Sequence, residues 1–168
     1  MLKITIITNT IRRPLELVLK SVQSSLMQNE SVSVILIDQN THTLKFPDVI
    51  KTNPRFKHVH CQVPAVSMAR NRAEYAVDTD WLIFCDDDGY LESGYIGRLL
   101  KLIDDFPKVE IFAGGIKRID NQEYYSKRHS LGGDMRWFWN TKLLMGSNFV
   151  IKKSVFEVVG LFNFNLGM

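Results

Sequence analysis

At 168 residues the chain is long enough for one domain with a sizeable core. Its 45% hydrophobic and 23% charged content is that of an ordinary globular protein, which sets aside a disordered chain. A net charge of +3 is too small for nucleic-acid binding driven by bulk charge, and no apolar stretch reaches the length of a membrane-spanning helix. The N-terminus, MLKITIITNT, lacks the apolar core and cleavage site of a secretory signal. The expectation is a cytoplasmic protein, with peripheral association at the inner face of the membrane left open. Of the two cysteines, Cys61 has His58 and His60 nearby, but no second ligand pair follows at zinc-site spacing. Reduced thiols are expected, with Cys85 acting as a small buried hydrophobe.

In chain order, β-branched and apolar runs predict strands at Lys3–Thr8, Ser33–Ile37, Trp81–Cys85 and Glu110–Ala113. Between the first two, Pro14 suits a helix start, and Leu15, Val18, Leu19, Val22 and Leu26 recur on one helix face. Gln39–Phe56 reads as loop, and the alternation in Lys57–Val63 as a short strand. A second helix is expected from a Ser67 cap to about Val77, with Ala69, Ala73, Ala76 and Val77 along one side. A third is expected after a Ser93 cap, with Ile96, Leu99, Leu100 and Ile103 as its apolar stripe and Phe106-Pro107 as its stop. Asp120–Asn140 reads as a mobile loop, Ser147–Ile151 as a strand, and Ser154–Val159 as a helix stopped by Gly160. Strands alternating with helices make an α/β fold with a mainly parallel sheet.

Ligands of open α/β sheets bind beyond the carboxyl ends of the strands. There the first strand carries Thr8, Asn9 and Thr10, the second Asp38, and the third Asp86, Asp87 and Asp88. Like charges about 4 Å apart repel by roughly 4 kcal/mol at an effective dielectric near 20, so something must offset the three carboxylates. If the backbone stays extended, Asp86 and Asp88 share one face and Asp87 takes the other, a pair suited to Mg²⁺ or Mn²⁺. A solvated acidic turn before Gly89 would do without a metal. In VSMARNRA, a Ser67 cap would put Arg70 and Arg72 near the positive end of the helix, where an anion would offset their cost. Exposed arginines lying over the surface are the plainer alternative.

Together these segments resemble family 2 glycosyltransferases of the GT-A type. The resemblance runs through ITIITNT with IRRP, VILIDQNT, AVSMARNRA, WLIFCDDDGYL with its D-x-D motif, AGG at 113–115, and GSNFVIKKSVFEVVGLFN at 146–163, in the family's order. It implies one domain over 1–168, with a nucleotide-sugar-binding half, 1–113, and a partial acceptor half, 114–168. Asp38 then resembles the carboxylate that meets the nucleoside base, often uracil, with Thr8 and Asn9 lining the same pocket. Arg70 resembles a nucleotide-site arginine. Asp86 would face the ribose or the metal, Asp87 holds the variable middle place near the nucleotide, and Asp88 would be the metal ligand, for Mn²⁺ or Mg²⁺. Ser147 and Asn148 fall where the family builds part of its acceptor pocket.

Three positions depart from the family's habit: Ala65 for a glycine, Gln39 for an acid, and Asn163 for an aspartate. The chain also stops at Met168, short of the acidic segment that usually supplies the catalytic base. What the resemblance implies is a UDP-linked sugar donor, a divalent metal and inverting transfer to a hydroxyl, with transfer by this length of chain weak or absent. Asp134 is the substitute base at hand, though nothing in its spacing supports it. The alternative is a nucleotide-sugar-binding protein without catalysis. A nucleotidyltransferase would need a glycine-rich phosphate loop that TNTIRRP lacks, and a dehalogenase-type hydrolase fails because Tyr90 stands where D-x-D-x-T needs threonine. A receiver-type acidic pocket is the remaining phosphate-transfer reading. Trp137, Phe138 and Trp139 are expected to pin the loop to the core, or else to cover a sugar. His129 is expected at the surface.

Overall fold

The computed structural model describes residues 2–29, 31–62, 65–75, 77–130 and 146–165. Asp134, Trp137, Phe138 and Trp139 lie outside the described residues, as does the side chain of His129.

The chain alternates strand and helix as its pattern predicts. β1 (Ile4–Thr10), β2 (Val32–Asp38) and β4 (Trp81–Asp86) are almost entirely buried, because helices cover both of their faces. α1 (Leu15–Leu26) follows β1, with Pro14 just ahead of it accepting from Leu17 N and Val18 N. α2 (Asp48–Lys51) interrupts the stretch expected as loop, and β3 (Phe56–His60) follows it. α3 (Val66–Tyr75) precedes β4 and α4 (Tyr95–Asp105) follows it. β5 (Ile111–Ala113), β6 (Asn148–Lys152) and α5 (Val155–Val159) complete the described elements.

Among the described residues the strands form one sheet in the order β3-β2-β1-β4-β6-β5. The first four are mutually parallel, and β6 runs against both β4 and β5. The sheet therefore crosses the division at residue 113, since β6 sits between β4 and β5. Two apolar clusters lie on its two faces. One gathers Ile4, Ile6, Val34, Leu36 and Ile83 with Val18 and Val22 of α1 and Ile96 and Leu99 of α4. The other gathers Ile7, Ile35, Ile37, Leu82 and Phe84 with Ala69 and Ala73 of α3 and Phe156 of α5.

Two caps differ from expectation. α3 begins at Val66, with Ala69 N bonding to Ala65 O at 3.1 Å, so Ser67 lies inside the first turn rather than capping it. α4 starts from Gly94, whose φ of 73° is the left-handed conformation, instead of from Ser93. In both places backbone geometry overrides the preference of a serine hydroxyl for a helix start.

Candidate functional site

The carboxyl ends of β1, β2 and β4 meet on one rim, in register: Thr10 opposite Asp38, and Asn9 opposite Asp86. Alternation decides which residues a ligand can reach. Thr8 shares the face of Ile4 and Ile6 and is wholly buried, its hydroxyl without a partner. Thr8, expected to line a nucleotide pocket, thus lies one pleat below the rim, whereas Thr10 reaches it. Asn9, on the other face, is half-buried beside Asp86 and borders a cleft.

The three aspartates do not stay extended. β4 ends at Asp86, and a turn closed by Gly89 N on Asp86 O at 3.1 Å carries Asp87 and Asp88. Each carboxylate consequently finds a different setting. Asp87 is buried, accepting from Thr10 Oγ1 at 2.7 Å and from Arg13 Nε at 3.1 Å. Asp88 stands at the surface and pairs with Arg13 NH2 at 2.8 Å. Asp86 retains solvent contact and lies in the field of Arg70. Burial, and then the Asp88 charge, push the Asp86 carboxyl above its ordinary range against the pull of Arg70. Burial also raises Asp87, although Thr10 and Arg13 oppose it. A single arginine thus bridges two of the three carboxylates, while Asp86 keeps the repulsion of Asp88.

Arg13 went unnoticed as a site residue. Its signal was present: two arginines directly after the first strand, at the sheet's ligand-binding edge. Arg12 reaches its place through a φ of 56°, a left-handed conformation that costs a non-glycine residue about 1–2 kcal/mol. Its N–H donates to Asn40 Oδ1 at 2.6 Å, which ties the β1–α1 turn to the loop after β2.

Arg70 lies in the second turn of α3 and Arg72 in the last, so the N-terminal dipole argument does not apply to them. Arg70 is boxed instead. Its guanidinium carbon lies 5.4, 5.7 and 5.8 Å from the ring centres of Phe84, Phe149 and Phe162. NH2 donates to Gly146 O at 2.7 Å, while Nε is buried without a partner. Burial lowers its pKa and Asp86 holds it up. Asn71, next in sequence, exchanges two bonds with the backbone of Phe162, at 2.9 and 3.1 Å, and so fixes one wall of the box.

Asp38 is wholly buried and spoken for. Oδ1 accepts from Asn40 N at 3.0 Å and Asn40 Nδ2 at 2.7 Å, and Oδ2 from Leu44 N at 2.7 Å and Thr43 Oγ1 at 3.4 Å. His58 Nε2 lies 3.0 Å from Oδ2. Burial alone would raise its pKa, but these donors outweigh it and the carboxyl sits below its usual value. As placed, this carboxylate orders the loop, and both of the oxygens expected to meet a base accept from the chain itself. The end of β3 and the residues just after it complete the loop's support, through His60 Nε2 at 2.8 Å from Asn40 O and Gln62 Nε2 donating to Thr41 O at 2.9 Å.

Two clefts adjoin at Ile11 and Arg12. One of about 340 Å³ is lined by Asn9, Arg12, Arg13, Asp86 and Asp87. The other, about 320 Å³, is lined by Gln39, Asn40, Thr41, His42 and Leu44 of the loop that Asp38 orders. Ser147 is half-buried near the mouth of the Arg70 box. Asn148 is engaged structurally: Oδ1 accepts from Tyr95 Oη at 2.9 Å and Nδ2 faces Gly115 O at 3.4 Å.

A sequence model described as glycosyl transferase family 2 matches residues 5–160. The chain belongs to that family. The sheet and its helices have the GT-A-like glycosyltransferase fold, as solved structures bear out. Residues 1–349 of S. aureus TarS superpose with a TM-score of 0.77 at 14% identity, over 99% of this chain and 52% of that one. A longer S. aureus TarS structure gives 0.75 at 14% identity, over 98% of this chain and 31% of that one. TarS 1–349 in complex with UDP-GlcNAc gives 0.71 at 14% identity, over 94% and 47%. The family 2 chain described here thus spans about half the length of these structures or less. The search of curated protein sequences returns no match. No described helix is long and apolar enough to cross a membrane.

Proposed function

We propose that this family 2 domain binds a nucleoside-diphosphate sugar, with UDP as the nucleotide, for inverting transfer to a saccharide hydroxyl. The observation that carries the reading is the meeting of Arg70, Arg13 and the three aspartates beside two adjoining clefts, at the strand ends where such sheets bind ligands. The TarS complex holds UDP-GlcNAc, which supports a nucleotide-sugar donor here. In this reading the nucleoside lies against the loop from Gln39 to Leu44, and the diphosphate lies between Arg70 and Arg13. A cytoplasmic location, at the membrane's inner face when the acceptor is there, belongs to the same proposal.

Among the described residues no three His, Cys, Asp or Glu side chains gather as a ready-made metal cluster, so support for a hard divalent cation comes from the oxygen-donor chemistry of two carboxylates, with the diphosphate completing the set. Asp86 and Asp88 are carboxylates with solvent access, and the field of Asp88 on Asp86 is unfavourable until a cation enters. These two residues would hold Mn²⁺ or Mg²⁺, which when bound supplies charge neutralisation for the leaving diphosphate. The chain's own cations act in the same sense: Arg70, partly desolvated by its three rings, stabilises negative charge as the bond to the anomeric carbon breaks. The acceptor hydroxyl attacks that carbon while giving its proton to a base, and the diphosphate leaves with the bonding pair. Among the described residues no base is assigned.

The alternative is nucleotide-sugar binding without transfer. The engagement of Asn148 with Tyr95 and Gly115 favours it, since one expected acceptor contact is already used. Calorimetric titration of UDP with and without Mn²⁺, in the wild type and Asp88→Ala, tests the common part. Mn²⁺-dependent binding lost in the variant is expected, and no binding of UDP, GDP or other nucleotides would sink both readings. A sugar-transfer assay then separates them.

A further inference from the structure

Among the described residues Arg13 is the one whose side chain pairs with two of the three aspartates, and it holds them unequally. Its Nε meets Asp87 Oδ1 at 3.1 Å and its NH2 meets Asp88 Oδ2 at 2.8 Å, a two-pronged use to which the fixed fork of a guanidinium is suited. The Asp87 end is an anchor. That side chain is 10% exposed and takes a second bond, from Thr10 Oγ1 at 2.7 Å. The Asp88 end is open: its side chain is 43% exposed, and among the described residues Arg13 is its ion partner. An incoming cation therefore meets one firm contact and one that solvent already reaches.

We propose that Arg13 is a latch on the cation site, a positioning residue that occupies Asp88 in the free protein and is exchanged for the divalent ion. This rests on the metal reading above and adds a regulation to it. The Nε–Asp87 contact acts as the pivot, so that release of Asp88 leaves Arg13 at the wall of the cleft it shares with Asn9, Arg12 and Asp86. The freed NH2 is then available to the anionic diphosphate. The cation and the diphosphate consequently help each other: the first frees the guanidinium, and the second gives it a partner. Such coupling is reciprocal by linkage. Neither ligand alone gains the full set of contacts, which biases the site against a free metal ion or a free nucleotide.

The test is Mn²⁺ binding followed by the paramagnetic resonance of free Mn²⁺, without nucleotide and with saturating UDP, in wild type, Arg13→Gln, Arg13→Lys and Asp88→Ala. Without nucleotide, Arg13→Gln should bind Mn²⁺ about two- to fivefold more tightly than wild type, the range set by loss of a partly exposed ion pair. UDP should tighten Mn²⁺ binding by a larger factor in wild type than in Arg13→Gln. Because Arg13→Gln also removes a positive charge beside the carboxylates, the latch is read from the loss of UDP coupling and from Arg13→Lys, which keeps the charge. If Arg13→Gln fails to fold, Arg13→Lys serves: its shorter chain and single nitrogen lack the fixed fork that meets Asp87 and Asp88 through separate nitrogens, so this variant should also bind Mn²⁺ more tightly than wild type. Asp88-dependent binding in wild type, with equal or weaker binding in both Arg13 variants, would overturn the latch and leave the metal site standing. No Mn²⁺ binding by any variant, with or without UDP, would overturn the metal reading and the latch with it.

Discussion

Replacing Asp38 by asparagine changes one atom's chemistry and almost no volume, and it probes the most heavily bonded side chain on the rim. The amide oxygen can keep Asn40 N and Nδ2, but its NH2 then points at Leu44 N, which donates at 2.7 Å in the wild type. A donor would face a donor, and Thr43 and His58 would lose a charged acceptor. Each charge-assisted bond is worth roughly 1.5–3 kcal/mol, and relief from burying a wholly enclosed charge returns part of that. We set the net loss at about 2–3 kcal/mol. Urea unfolding with a slope near 2 kcal/mol per molar should show the midpoint falling by about 1–1.5 M. The sign with pH follows from the depressed carboxyl. Its contribution is complete above the unfolded value of 3.8 and disappears as pH falls through the lower folded value, so the gap between the two proteins should hold down to 3.8 and close below it. A midpoint shift under about 0.3 M, or a gap that closes at higher pH, would refute the structural role given to this carboxylate.

Arg70→Met should leave thermal stability within about 1 kcal/mol of wild type, because an apolar chain fills the box of Phe84, Phe149 and Phe162 without a buried charge. UDP binding measured by calorimetry should nevertheless weaken at least tenfold (about 1.4 kcal/mol); unchanged affinity would remove Arg70 from the donor site. Gly114→Ala should destabilise by about 1–3 kcal/mol in the same urea assay, since its Cβ would fall 2.9 Å from Asn148 Cγ and push that side chain off Tyr95. Gly97→Ala in α4, with open space around its Cβ, is the matched control and should be neutral or stabilising.

How much of this was legible depended on range. The buried strands announced themselves because Ile4–Ile7, Val34–Ile37 and Leu82–Phe84 are apolar on both faces, a pattern few other environments tolerate. The α1 stripe was equally plain, with Val18, Val22 and Leu26 buried as their spacing required. Serine caps were read at Ser67 and Ser93 from local preference, and backbone geometry at Ala65 and Gly94 prevailed. At the site, the D-D-D run and Asp38 stood out by charge, but their partners did not. Arg13 joins Asp87 from 74 residues away, and His58 reaches Asp38 from 20. Alternation placed Thr8 and Thr10 on one face without saying how deep Thr8 would lie. Nothing local could announce that β6 would enter between β4 and β5 in the opposite direction, since that order is decided by which edges remain when the sheet closes.

That insertion governs how the molecule can be made. β4 delivers the aspartates, yet it shows an open edge until β6, far behind it in the chain, has been synthesised and turned back against it. A nascent chain ending near Ala113 carries β1 to β4 with the β6-facing edge of β4 unpaired and Phe84 lacking Phe149 and Phe162, a template for pairing with another copy. The step that joins β6 to β4 spans distant positions and is correspondingly slow. Expression of residues 1–113 by themselves should yield insoluble material, although every aspartate of the rim is included. The three rim carboxylates are thus encoded in the first half of the chain and come under the protection of a folded sheet only when the second half arrives.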